Sequence, residues 1–181
     1  MEAGFKSCPA PIPTSRMQTL EQQPVNNNFK VLNWNLEFFG APKYGPTDND
    51  LQITNVTRVL NSTHADLMAL QEVSSDDAFK SLIQSMPGYS GRCSNRYSYS
   101  FDPSGDFPPQ KVCFAYNTST VKVIREKILF SKYFDDNPSD IFSSGRLPYL
   151  LEVETMGHRL KLRQHPCKVG LRRQCAKPAN N

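Results

Sequence analysis

Apolar residues recur along this chain with two different periods, and the switches between them mark out its elements. Phe29-Lys-Val-Leu-Asn-Trp-Asn-Leu-Glu-Phe-Phe39 is a short apolar run with a polar cluster at Asn35 and Glu37. Lys30 to Asn35 is predicted as a strand. Pro42 to Asn49 follows as a loop, with Gly45, Pro46 and the cap-forming residues Asp48 and Asn49. Ile53, Val56, Val59 and Leu60 then fall at helical spacing, which predicts a helix over Asp50 to Ser62. Asp66-Leu-Met-Ala-Leu-Gln-Glu-Val73 is the second apolar run, and its polar end holds Gln71 and Glu72. Its unbroken apolar centre predicts a strand, Asp66 to Glu72, covered on both faces. Ser74 and Asp77 resemble a capping box, and Phe79, Leu82, Ile83 and Met86 form a second helical stripe that Pro87-Gly88 stops. From Tyr89 the pattern turns to strands: Tyr89 to Tyr97, Lys111 to Tyr116, Val121 to Phe130, Arg146 to Thr155 and Arg159 to Leu162. Asp135 to Ser144 is a polar loop. There are no repeats and no low-complexity tract.

The first two strands and the helix between them make a strand–helix–strand unit that delivers two carboxylates at strand ends. Ligand sites of open α/β sheets gather at such ends. Carboxylate and amide oxygens converging there suit a hard cation such as Mg²⁺.

With 181 residues the chain can form one domain with a real core. The net charge is +4, and its C-terminal part is concentrated. From Arg159 to Lys177 there are four Arg, three Lys and no acid. Such a segment reads either as a nucleic-acid tail or as a tail outside the fold. No apolar run approaches the roughly 20 residues that span a bilayer. Residues 1–28, with Pro9, Pro11, Pro13 and Pro24, read as a disordered leader or linker. No signal peptide is visible. Localisation stays open: cytoplasmic, or exported if a leader precedes Met1.

The five cysteines form no Cys-x-x-Cys pair, which argues against a zinc site. Cys93 and Cys113 flank the turn-rich stretch Phe101 to Pro109 symmetrically. If its flanks pair as a hairpin, the two thiols face each other. They are then either a disulfide, implying an oxidising compartment, or two free thiols. Asn-x-Ser/Thr triplets at Asn55, Asn61 and Asn117 arise often by chance and carry no weight here.

The order βαβα followed by strands resembles the first half of the endonuclease/exonuclease/phosphatase superfamily, which includes deoxyribonuclease I and apurinic endonucleases. Leu32-Asn-Trp-Asn-Leu-Glu37 is similar to that family's first motif, an Asn followed two residues later by an acid. Leu70-Gln-Glu-Val73 is similar to its second, whose Glu binds the metal. Phe114-Ala-Tyr-Asn117 and Gly145-Arg-Leu-Pro-Tyr-Leu150 look like its next two strands. The resemblance covers about Phe29 to Leu162. It implies a deoxyribonuclease I-like four-layer α/β/β/α sandwich (α/β, α+β), present as the first half only. It also implies a hydrolase dependent on Mg²⁺ or Mn²⁺, a nuclease or other phosphoesterase, whose partner is nucleic acid or another phosphodiester or phosphomonoester. A complete copy is expected to be a monomer. Carried over by position, Glu72 is the principal metal ligand, Asn35 orients the site and contributes to the metal's surroundings, and Glu37 stands in the outer shell. Arg146 braces the substrate phosphate, since a guanidinium fork matches two phosphate oxygens.

The departures are as informative. The resemblance calls for a following Asn-x-His strand, then Gly-Asp-x-Asn and Asp-His, and the chain contains none of these. Arg159-Leu-Lys-Leu162 begins the right strand, but Pro166 and a crowd of charges break the pattern after it. One set of codons for residues 163–170, CGT CAA CAT CCA TGC AAA GTC GGG, offers a reason. Read one nucleotide later, it gives Val-Asn-Ile-His-Ala-Lys-Ser-Gly, the expected strand. The reading is therefore a frameshift near Leu162 and a non-native basic tail over 163–181, against a natural divergent terminus. Under it His165 is not catalytic. One sheet face is expected to lack its partner sheet and expose apolar surface, and turnover is expected to be small or absent. The alternative function is a non-catalytic module that holds nucleic acid through the basic C-terminal tail.

Overall fold

A computed structural model describes residues 28–96, 98, 108–131 and 145–165. The elements are β1 (Val31–Phe39), α1 (Asn49–Thr63), β2 (Leu67–Val73), α2 (Asp76–Gln84), β3 (Tyr89–Cys93), β4 (Lys111–Asn117), β5 (Lys122–Ile128), β6 (Tyr149–Thr155) and β7 (His158–Gln164). They form two sheets, one of order β1-β2-β4-β3 and one of order β5-β6-β7. β1 and β2 are parallel, as a helical crossover requires, and every other pairing is antiparallel.

Register decides which side chains share a face. Val31, Asn33 and Asn35 lie opposite Leu67, Ala69 and Gln71, and Leu67 and Ala69 lie opposite Tyr116 and Phe114. These residues line the inner face of the first sheet. Leu67, Phe114 and Tyr116 pack there with Tyr149, Leu151 and Val153 of β6. Alternation sends Leu36, Met68, Leu70, Cys113 and Ala115 to the outer face, against Val56 and Leu60 of α1 and Phe79 and Leu82 of α2. The described layers are thus helices, sheet, sheet: three of the four that the resemblance implies.

Contrary to the expectation from sequence, the first sheet does not lack a partner, because β5–β7 cover β2 and β4. What stays open is the inner side of β1, where Val31 is 51% exposed and Asn33 and Asn35 are exposed too. The central part of the chain carries enough apolar residues to start the second layer. The exposed apolar surface is therefore smaller than expected.

Local chemistry explains most boundaries. Asp48 caps α1, its carboxylate accepting from the Leu51 amide at 2.9 Å. α2 begins one residue later than the capping-box reading placed it. Its cap is Ser75, whose hydroxyl accepts from the Ala78 amide at 3.2 Å, not Ser74. Asp76 and Asp77 then sit in the first turn, where a helix dipole favours anions. β3 stops at Cys93 rather than Tyr97, which lies outside the described residues. β6 starts at Tyr149, so Arg146 sits in its lead-in and not on the strand. β7 runs through Gln164, two residues past the expected end. The leader, the loop from Asp135 to Ser144 and the tail from Pro166 onward lie outside the described residues.

At the outer edge, Gly91 of β3 lies against α2. A Cβ there would come within 2.6 Å of the Phe79 ring, so no larger residue fits without moving the helix. On the inner side, the Tyr149 hydroxyl donates to the Glu126 carboxylate at 2.7 Å. Burial first, and then that bond, push the Tyr149 phenol pKa well up. A hydrogen bond to Tyr116 likewise raises the Arg92 guanidinium. Glu126 and Tyr149 of the second sheet act on Arg92 electrostatically across the layer. Among the described residues no helix is long and apolar enough to cross a membrane.

Candidate active site

The polar ends of β1 and β2 lie side by side, since Asn35 is the register partner of Gln71. Beyond that pair the ladder breaks. Pairing resumes only at Phe39 and Val73, and β2 loses register with β4 over the same stretch. Three residues in the break have left-handed backbones without being glycine: Glu37 at φ 50°, Phe38 at φ 51° and Glu72 at φ 59°. Each costs of the order of 1 kcal/mol or more, and such strain collects at functional sites.

The break re-aims Glu72. Gln71 faces inward, its amide donating to the Asn33 side-chain oxygen at 2.6 Å. Regular alternation would turn Glu72 out toward the helices. The left-handed residue cancels that alternation, as bulges do. The Glu72 carboxylate instead meets Arg146, which arrives from the lead-in to β6, with Nη1 to Oε1 at 3.7 Å. Both side chains are largely buried, at 9% exposure for Arg146 and 18% for Glu72. The separation is longer than a charge-assisted hydrogen bond of about 2.7–2.9 Å, so this contact does not lock the carboxylate. Nor does Glu72 cap α2, because Ser75 does that.

Asn35 and Glu37 are placed differently. Asn35 is exposed, and its side-chain oxygen accepts from the Glu37 amide at 2.9 Å. It therefore helps hold the kink through its own neighbour's backbone. The Glu37 side chain is exposed on the same turn. The structure thus brings Glu72 and Arg146 into contact, sets Asn35 beside them on the neighbouring strand, and leaves Glu37 at the rim. His165 is exposed.

Two supporting residues carried no sequence signal. Gln52 of α1 is buried, and its side chain serves both edges of the β1 kink. It donates to the Leu36 carbonyl at 3.3 Å and accepts from the Gly40 amide at 3.1 Å. Lys111 opens β4 opposite Val73, one residue from Glu72. Its ammonium donates to both Asp76 carboxylate oxygens at 2.7 Å, tying β4 to the start of α2. Its side chain is 11% exposed. Helical periodicity marks Gln52 only as a polar position beside the apolar stripe, and Lys111 reads as a solvated strand start.

The donors fit a hard cation in kind. Mg²⁺ takes one or two carboxylates and fills its remaining positions with water and substrate phosphate, and Glu72 with Asn35 offers one carboxylate and one amide oxygen. The set is sparse: among the described residues, no group of three His, Cys, Asp or Glu is placed to hold a metal.

Among curated proteins, none matches the chain. Solved structures do. TDP2 from D. rerio, complexed with a single-strand DNA product, superposes with a TM-score of 0.54 at 16% identity, covering 78% of this chain and 48% of that one. The human Nocturnin catalytic domain with bound sulfate gives 0.53 at 15% identity, covering 75% and 48%. A mannosyl-6-phosphatase from Bacteroides thetaiotaomicron gives 0.54 at 13% identity, covering 75% and 50%. The chain thus spans about half the length of these structures, and at these identities the likeness concerns the fold. The family model for the Endonuclease/Exonuclease/phosphatase family matches residues 32–151, from the strand that carries Asn35 to the strand that Arg146 leads into, so by sequence and by fold the chain belongs to the endonuclease/exonuclease/phosphatase family.

Proposed function

We propose that this chain carries the metal-binding half of a divalent-metal phosphoesterase site, with Glu72 as the principal ligand and Arg146 as the phosphate anchor. The contact between those two residues carries the reading. A carboxylate in a strained backbone and a guanidinium from the other sheet converge at one mouth of the sandwich. Glu72, assisted by Asn35, would hold Mg²⁺ or Mn²⁺. When bound, the cation supplies Lewis acidity and neutralises charge on a phosphate oxygen. Arg146 pairs with the remaining phosphate oxygens and stabilises charge that builds as water attacks phosphorus. It also adds positive charge beside Glu72, so a cation binds better once a phosphate has entered to offset both. Glu37 stays in the outer shell and steadies the approach.

The groups that would move protons, in Asn-x-His, Gly-Asp-x-Asn and Asp-His motifs, are not in this sequence. Without them the 181-residue chain has little or no turnover, because metal and clamp alone do not activate water or protonate the leaving group. The frameshift reading accounts for that gap. The shifted frame puts Asn at position 164 and Val before it, where the chain as given ends β7 on Arg163 and Gln164.

The experiment joins both points. The gene is sequenced through codons 155 to 181 and beyond, and protein from the continuous frame is assayed on a phosphodiester and a phosphomonoester. The three motifs should appear downstream. Hydrolysis should require added Mg²⁺ or Mn²⁺ and vanish with EDTA. Turnover that survives complete metal removal would refute the metal reading. A continuous frame without the motifs would refute the frameshift.

A further inference from the structure

We infer that Cys93 and Cys113 form a standing structural disulfide and that the protein carrying this domain folds in an oxidising compartment. The inference is independent of the phosphoesterase reading. The two residues are direct register partners on β3 and β4. Next to them the Ser94 amide donates to the Val112 carbonyl at 2.9 Å. That makes 94 and 112 the hydrogen-bonded pair and 93 and 113 the non-hydrogen-bonded pair, where antiparallel strands bring side chains closest. The Cα atoms are 4.0 Å apart and the sulfurs are bonded.

The position gives the crosslink a purpose. β3 is an edge strand, held to the sheet only through β4. The two cysteines are 20 residues apart in sequence, and closing a loop of that length costs chain entropy. The disulfide holds it closed. Cys113 is fully buried, faces the helix-side core, and lies opposite Leu70, two residues before Glu72. Cys93 is only partly buried beside it, so the bond is anchored in the core on one side and reached from the surface on the other. Disulfides of this structural kind are rare where glutathione and thioredoxin keep thiols reduced.

Formation needs an oxidant, a donor disulfide such as oxidised glutathione or an oxidoreductase in its disulfide form. The Cys93–Cys113 bond forms, the donor's sulfur–sulfur bond breaks, and the donor leaves as two thiols carrying the electrons and both thiol protons.

The test is thiol trapping in the cells that make the protein. Iodoacetamide is added before lysis, and the protein is digested without reduction and read by mass spectrometry. The expected result is a linked peptide pair joining Cys93 to Cys113, with Cys8, Cys167 and Cys175 alkylated wherever present. Alkylated Cys93 and Cys113 would overturn the inference. So would crosslinks spread over all five cysteines. A second measurement covers stability. In the full chain, dithiothreitol should lower Tm by about 6–12 °C and leave a Cys93→Val/Cys113→Val variant, whose side chains suit that core, unmoved. An equal shift in both proteins, or none in either, would also overturn it.

Discussion

Replacing Glu72 by Gln in protein made from the proposed restored frame is expected to reduce turnover at least about a hundredfold, the scale for losing one preorganised electrostatic group. The substitution keeps the shape and removes the charge. Its consequences should separate by cause. Metal affinity falls, because a neutral amide oxygen binds Mg²⁺ poorly, and high Mg²⁺ should restore only part of the rate. Arg146 also loses the anion beside it, at 3.7 Å in the present arrangement. Since that guanidinium is only 9% exposed, weakening one of its ionic contacts costs stability as well. Rate measured against Mg²⁺ concentration, with a thermal melt of the same sample, distinguishes the two effects. Near-normal turnover at ordinary Mg²⁺ would remove Glu72 from the site. A large loss of stability with unchanged metal dependence would make it a structural ion pair.

The second large effect concerns the sandwich. Phe114→Ala should destabilise the fold by about 3–5 kcal/mol, the cost of deleting a buried aromatic and leaving its cavity. Phe114 is 1% exposed in the layer between the sheets. Its ring lies 5.6 Å from that of Tyr149 on β6, within the range of favourable aromatic pairs. If β5–β7 were not docked on the first sheet, that ring would face water and its loss would cost under about 1 kcal/mol. Urea denaturation of wild type and variant reads the difference directly.

Much of this arrangement is legible in the sequence because it depends on local period. The strands around Leu32 and Leu70 and the two helical stripes are fixed by where apolar side chains recur. The polar ends of those strands point to Asn35, Glu37 and Glu72 through motif resemblance, and the stretch Gly145 to Leu150 points to Arg146 in the same way. The symmetry of Cys93 and Cys113 about a turn-rich stretch was enough to raise their pairing. What escaped depends on long-range geometry. The kinks at Glu37, Phe38 and Glu72 carry no glycine to announce a positive φ. Gln52 matters only because β1 turns over it. Two adjacent serines, Ser74 and Ser75, are equal candidates for a cap until the strand before them ends. The cover supplied by β5–β7 follows from how far the central strands reach across the first sheet, which composition does not reveal.

The claim at the centre is that Glu72 anchors a divalent cation next to the Arg146 phosphate site. The most direct measurement is anomalous diffraction from crystals of protein made from the proposed restored frame, soaked in Mn²⁺ with a non-hydrolysable phosphate ester. A single strong peak about 2.1 Å from a Glu72 carboxylate oxygen, with the ester phosphate against Arg146, is the expected result. A peak held by other residues, or a Glu72 carboxylate still paired with Arg146 and without metal at saturating Mn²⁺, would contradict it.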